Sequence, residues 1–207
     1  SLMNGLKLNA AQIHKHGKRA DSIVKNMMQH ASEGVTERYP IDINAFVEEY
    51  IGLSYHGMKA QTPELDVTVV RDFDDGAGNV VMTPQEMGRV LVNLLNNAFY
   101  AVHEHRKSAG ADYSPTVTVR TKRVDSRMEI SVIDNGPGIP DGVKDKIFQP
   151  LFTTKPTGSG TGLGLSLAFD IVTQMHGGQL LVDTEVGRGT TFVARIPIDP
   201  KIHVDNS

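Results

Sequence analysis

The 207-residue sequence predicts an α+β fold: a mixed sheet packed on helices, preceded by a long helix with a partner. Three observations predict it. A heptad seam occupies the first 31 residues. Five segments alternate apolar and polar residues as half-buried strands do. Two amphipathic helical patterns fall among those strands, and the strands outnumber any parallel crossovers, so a sandwich fits better than a doubly wound sheet.

From the start of the chain, Leu6, Ala10, Ile13, Gly17, Ala20, Val24, Met27 and Ala31 step by four and three, with charged residues between them. That is the seam of a two-helix contact, and alanine and glycine on it favour close backbone approach. The same pattern also suits a core helix of the following domain. SEGVTERYP (32–40) is a polar connector ending in proline, so residues 1–33 form one unit and 41–198 a second, with a tail at 199–207. A helix capped by Asn44 should run past Tyr50 toward Lys59. DVTVVRDF (66–73) alternates as a strand. Pro84 opens a second helix reaching Arg106, with Met87, Leu91, Leu94, Leu95, Ala98 and Val102 inward. TVTVRTKRV (116–124) and MEISVIDN (128–135) read as neighbouring strands. A short helix begins near Leu163, and QLLVDTE (179–185) with TTFVARIPI (190–198) form a closing hairpin around Gly187 and Gly189.

Composition narrows the function. Hydrophobic residues make up 39% and charged residues 22%, a globular composition, and the net charge of -3 provides no basic field for nucleic acid. With no cysteine, disulfides and thiolate metal sites are excluded, which fits a reducing, cytoplasmic compartment. The apolar runs are too short to span a bilayer. Position 1 is Ser rather than Met, so the chain is expected to be a fragment or to carry a cloning scar, and whatever lies upstream, including any membrane segment, stays open.

The candidate chemistry lies in four places. Asn93 and Asn97, four apart, share one helix face with Arg89 a turn earlier. A neutral amide oxygen suits Mg²⁺, which takes one or two protein oxygens and fills its shell with water and phosphates; the same spacing is also common on a solvated face. Asp134 ends a strand and opens Asp-Asn-Gly136-Pro-Gly138, where a carboxylate can accept from the exocyclic amine of adenine; a capped turn is the plainer reading. Gly158-Ser-Gly160-Thr161-Gly162-Leu163-Gly164 runs into a helix and offers backbone N–H groups to phosphate, though it fits neither the Walker nor the dinucleotide spacing. Between these, Phe148 and Phe152 could anchor one edge of a cover with Thr153, Thr154 and Lys155 facing the phosphates; a lysine there is as easily a plain surface charge. Thr190, after Gly187-Arg-Gly189, adds a hydroxyl near the base or simply follows a turn.

In order and spacing, NLLNNA (93–98), DNGPGIP (134–140), FQPLFTTK (148–155), GTGLGLS (160–166) and GRGTTF (187–192) resemble the N, G1, F, G2 and G3 boxes of two-component sensor histidine kinases. The likeness spans about residues 41–198 and looks like the Bergerat fold of the GHKL ATPases, which include gyrase, mismatch-repair and chaperone ATPases. It implies that Asn97 coordinates Mg²⁺ and Asn93 faces the phosphates of ATP. Asp134, with Gly136, Gly138 and Thr190, would hold adenine. The segment from Lys155 through Gly164 would be the ATP lid, with Phe152 and Thr154 beside it. The N-terminal helix would be the second helix of a homodimerising stalk, and a response-regulator receiver domain the downstream partner.

The chain departs from the kinase pattern twice. None of its eight histidines has the acidic residue and nearby proline of a phosphoacceptor box, so the acceptor is expected upstream of residue 1, most of these histidines are expected on the surface, and the chain should bind ATP without labelling itself. Tyr100 stands where many relatives carry a phosphate-reaching lysine. Two alternatives remain: an ATP-hydrolysing clamp, whose relatives place a glutamate where Asn93 stands, and a nucleotide-binding module without transfer activity.

Overall fold

The computed structural model describes residues 37–156 and 160–199. The heptad segment at 6–31, the unit 1–33, His14, His16, His30 and His203, and all of the tail but residue 199 lie outside the described residues.

Twelve elements follow one another among the described residues. β1 (Tyr39–Asp42) leads directly into α1 (Ile43–Gln61), followed by β2 (Thr68–Asp72), β3 (Asn79–Met82) and α2 (Pro84–Arg106). The long hairpin β4 (Thr116–Val124) and β5 (Arg127–Asp134) comes next, then the single turn α3 (Asp141–Lys144). α4 (Gly164–Asp170) continues into a π-helical segment, Ile171–Met175, before β6 (Gln179–Glu185) and β7 (Gly189–Pro197). The five-stranded sheet has the order β2-β4-β5-β7-β6, and β1 pairs with β3 in a separate two-stranded sheet. Only β2 and β4 run parallel; the other neighbours are antiparallel. The mixed α+β sandwich read from the sequence is the observed architecture.

Period-two alternation explains how the layers meet. Val117 and Val119 of β4, Met128, Ile130 and Val132 of β5, and Phe192, Ala194 and Ile196 of β7 are all buried. Side chains two apart share a sheet face, so these residues form one apolar face for the helices to cover. α2 occupies the middle of the helical layer, touching α1 on one side and α4 on the other. Its inward residues Met87, Leu91, Leu94, Leu95, Ala98 and Val102 are buried as expected. α1 can lie close because Gly88 has no side chain: a Cβ there would come 2.1 Å from the Tyr50 hydroxyl oxygen.

Several boundaries differ from the sequence reading. Asp42, not Asn44, caps α1, accepting from Ala45 N at 3.0 Å. Asn44 turns inward instead and joins Asp74 O and Thr121 Oγ1. Pro40 lies within strand β1, opposite Val81, rather than at the end of a connector. The last helix is α-helical for seven residues only. It then widens, with His176 N donating to Ile171 O at 3.1 Å. Two of the histidines expected at the surface, His103 and His176, are buried. No helix of the described residues is long and apolar enough to cross a membrane.

Candidate functional site

A cleft of about 1020 Å³ opens between α2, the end of β5 and the segment that follows α3. α2 presents Asn93 and Asn97 to it because the leucines of the same helix are held by the sheet. Gly138, Phe152, Thr154, Lys155, Gly160, Thr161, Gly162, Gly164, Asp134 and Thr190 also line it. Gly136 and Leu163 do not. Gly136 is buried behind the rim, with its N donating to Asp134 Oδ1 at 2.9 Å, and Leu163 forms the N-cap of α4. Arg89 turns back to Glu86 at 3.1 Å and is no part of the lining.

One end of the cleft is organised around Asp134, which is 6% exposed. Desolvation pushes its carboxyl up to about 6, against the opposing pull of the Gly136 and Thr190 backbone amides. The β5–β7 register places Thr190 directly opposite it. The loop after β5 is pinned to the β6–β7 hairpin, since Gly187 N donates to Pro137 O at 2.8 Å. Gly138, at φ +73°, makes the approach possible; a Cβ there would sit 2.2 Å from Glu185 O. Thr184 Oγ1 completes the seam, 3.0 Å from Thr190 Oγ1 and accepting from Ile139 N at 2.9 Å. Asp134 therefore offers a carboxylate on a rigid strand end, with acceptor capacity left beyond its Gly136 bond.

At the other end is a cation in a neutral seat. Lys155 Nζ donates to Asn97 Oδ1 at 2.8 Å and lies 4.4 Å from the centroid of the Tyr100 ring. Burial draws the ammonium's pKa down to about 8. Phe148 anchors this segment by packing against Phe169 and Phe192, while Phe152 lines the cleft. Gly162 (φ +72°) lies flat against Leu151, where a Cβ would fall 2.4 Å from the carbonyl carbon. The start of α4 meets α2 at Asn93, whose Oδ1 is 2.6 Å from where a Gly164 Cβ would stand. An elongated ligand with an amine-bearing ring at one end and an anionic tail at the other matches this charge pattern.

The family described as histidine kinase-, DNA gyrase B-, and HSP90-like ATPase matches residues 82–200. The chain belongs to that family. Membership brings nucleotide use with it. Among curated proteins, the chain is 29% identical over 179 residues to the sensor protein FixL of Bradyrhizobium diazoefficiens, covering 86% of the chain and 33% of FixL. The chain thus spans about a third of that relative's length. Among solved structures it resembles the catalytic domain of histidine kinase ThkA, with a TM-score of 0.64 and 25% identity over 80% of this chain and 99% of that one. It also resembles histidine kinase ThkA in a complex with the response regulator protein TrrA, with a TM-score of 0.70 and 25% identity over 92% of this chain and 50% of that one.

Several residues that line the cleft carry no clear sign in the sequence. Ala101 continues the Asn93–Asn97 face by one more turn, a signal that i, i+4 spacing contains. Leu53, Ser54, Gly57 and Met58 of α1 form a further wall. They carry no motif, and only the packing of α1 on α2 brings them there.

Proposed function

We propose that this chain is the ATP-binding catalytic part of a two-component sensor histidine kinase, holding Mg·ATP and presenting its γ-phosphate to a histidine outside the described domain. The observation that carries the reading is the pairing, in one cleft, of a buried carboxylate at Asp134 with an amide oxygen at Asn97 that already holds a cation. That cation, the Lys155 ammonium, is a stand-in that fits the proposed metal role: Asn97 Oδ1 faces the cleft and accepts positive charge. Asp134 would accept from the adenine amine, which guanine lacks at that position. Asn97 would ligate Mg²⁺, Asn93 and the Gly160–Gly164 backbone would face the phosphates, and Thr154 and Lys155 would border them. Mg²⁺, when bound, supplies charge neutralisation on the transferring phosphoryl group. The part of this domain is positioning and exclusion of water, the nucleophile being the acceptor histidine expected upstream.

Asn93 favours transfer over hydrolysis, since an amide cannot take a proton from water. Homodimerisation through the N-terminal helix of the longer protein and docking of a receiver domain belong to the same reading; ThkA, solved with a response regulator, supports the latter. The test is titration calorimetry with ATP and GTP in Mg²⁺, on the wild type and Asp134→Asn. The expected result is micromolar-range ATP binding, at least tenfold weaker GTP binding, and loss of that selectivity in the variant. A folded protein that binds neither nucleotide overturns the reading. Sustained multi-turnover phosphate release would favour the hydrolysing clamp instead.

A further inference from the structure

Lys155 sits in a seat of unusual chemistry. Among the described residues no carboxylate pairs with its ammonium; its polar partner is the neutral amide of Asn97 at 2.8 Å, with the Tyr100 ring beside it at 4.4 Å. The stem is held as firmly as the head. Lys155 N donates to Thr153 Oγ1 at 3.2 Å, and Gly160 lies against the stem, where an added Cβ would come 3.2 Å from Lys155 Cβ and 3.3 Å from Cδ. Burial of an ammonium without a counter-charge is unfavourable, and the lowering of its pKa to about 8 reflects that. The oxygen it holds is the one proposed above to ligate Mg²⁺. A dication and an ammonium cannot share that oxygen without strong repulsion at such short range.

We propose that Lys155 is an internal counter-cation for the triphosphate and exchanges with Mg²⁺ on Asn97. With metal bound, the ammonium swings off the amide and onto a phosphate oxygen. With ATP alone it stays on Asn97 and neutralises the phosphates from the metal's position. Tyr100 is the platform for the exchange, because its ring supports the ammonium on either partner without binding it tightly. Lys155 is thus a nucleotide-binding residue whose effect is largest when metal is scarce. This rests on the reading of the cleft as an ATP site.

The test measures ATP affinity by calorimetry in excess Mg²⁺ and in EDTA, for the wild type, Lys155→Met, which keeps the packed stem, and Lys155→Arg. For the wild type, removing Mg²⁺ should weaken binding by roughly tenfold or less. In Lys155→Met the same change should exceed about a hundredfold, while Lys155→Arg should restore most of the tolerance. Thermal unfolding of each variant without nucleotide checks that it is folded. Equal Mg²⁺ dependence in the wild type and Lys155→Met overturns the exchange while leaving the nucleotide site intact. Absence of ATP binding by the folded wild type in Mg²⁺ overturns the site and the exchange together.

Discussion

Burial sets the behaviour of Asp134 more than any single bond does. Its carboxyl stands at about 6 in the fold against an ordinary 3.8, so the folded state takes up a proton that the unfolded chain does not between those values. The group's favourable contribution is complete below 3.8 and is lost as pH rises through about 6. At neutral pH the charged side chain therefore weakens the domain that holds it. Asp134→Asn keeps an acceptor for Gly136 N and removes the buried charge. It should raise the unfolding free energy at pH 7 by on the order of 1–3 kcal/mol, with the gain gone near pH 4. Urea denaturation at the two pH values measures it. A residue whose removal strengthens the fold while erasing ligand selectivity is retained for binding.

The start of α2 illustrates how one element depends on another distant in sequence. Thr83 makes no side-chain cap, and its backbone N donates instead to His176 Nε2 at 3.2 Å. The neutral ring in turn donates from Nδ1 to Ile171 O at 2.9 Å, inside the π-helical segment. Arg38 reaches the same turn through Met175 O. A buried ring that must stay neutral has its pKa lowered, chiefly by desolvation, with Arg38 adding to the effect and the Ile171 carbonyl and Glu86 opposing it. The sign is opposite to that of Asp134: stability is present above 6.5 and lost as pH falls through the lowered value. His176→Gln can still accept from Thr83 N but does not titrate. Its melting temperature should fall less than that of the wild type between pH 7 and pH 5, as scanning calorimetry would show.

At the scale of the whole domain, the long elements were legible because their patterns run for several periods. α2 shows six inward residues at helical spacing, and β4, β5 and β7 alternate over eight or nine residues. β1 and β3 were not, since four residues hold too little alternation to distinguish a strand from a connector, and Pro40 argues against one. The π-helical segment was equally hidden, because five residues cannot reveal a widened turn. Of the cleft, the asparagine face and the glycine motifs could be read from residue type and order. The Lys155–Asn97 contact could not, for it joins residues 58 apart through tertiary packing alone. Because the cleft draws on α1, α2, β5 and β7 together, ligand binding should be felt by the entire fold. ATP with Mg²⁺ at a hundred times its dissociation constant should add about 2.7 kcal/mol of stability, raising the melting temperature, while GTP, bound at least tenfold more weakly, adds no more than about 1.4 kcal/mol at the same concentration.

The sheet order also dictates when the site exists during synthesis. β5 emerges flanked by β4 alone, and its other neighbour, β7, is the last strand among the described residues. Beyond Gly136, Asp134 gains its cross-strand partner only at Thr190, so a growing chain on the ribosome carries the asparagine helix long before that end of the cleft is complete. Domains form as units, with the earlier part of the chain available first. On the proposed reading, a stalled or truncated product ending before β7 would display the Asn93–Asn97 face without the Asp134–Thr190 pair, and its nucleotide site would be incomplete.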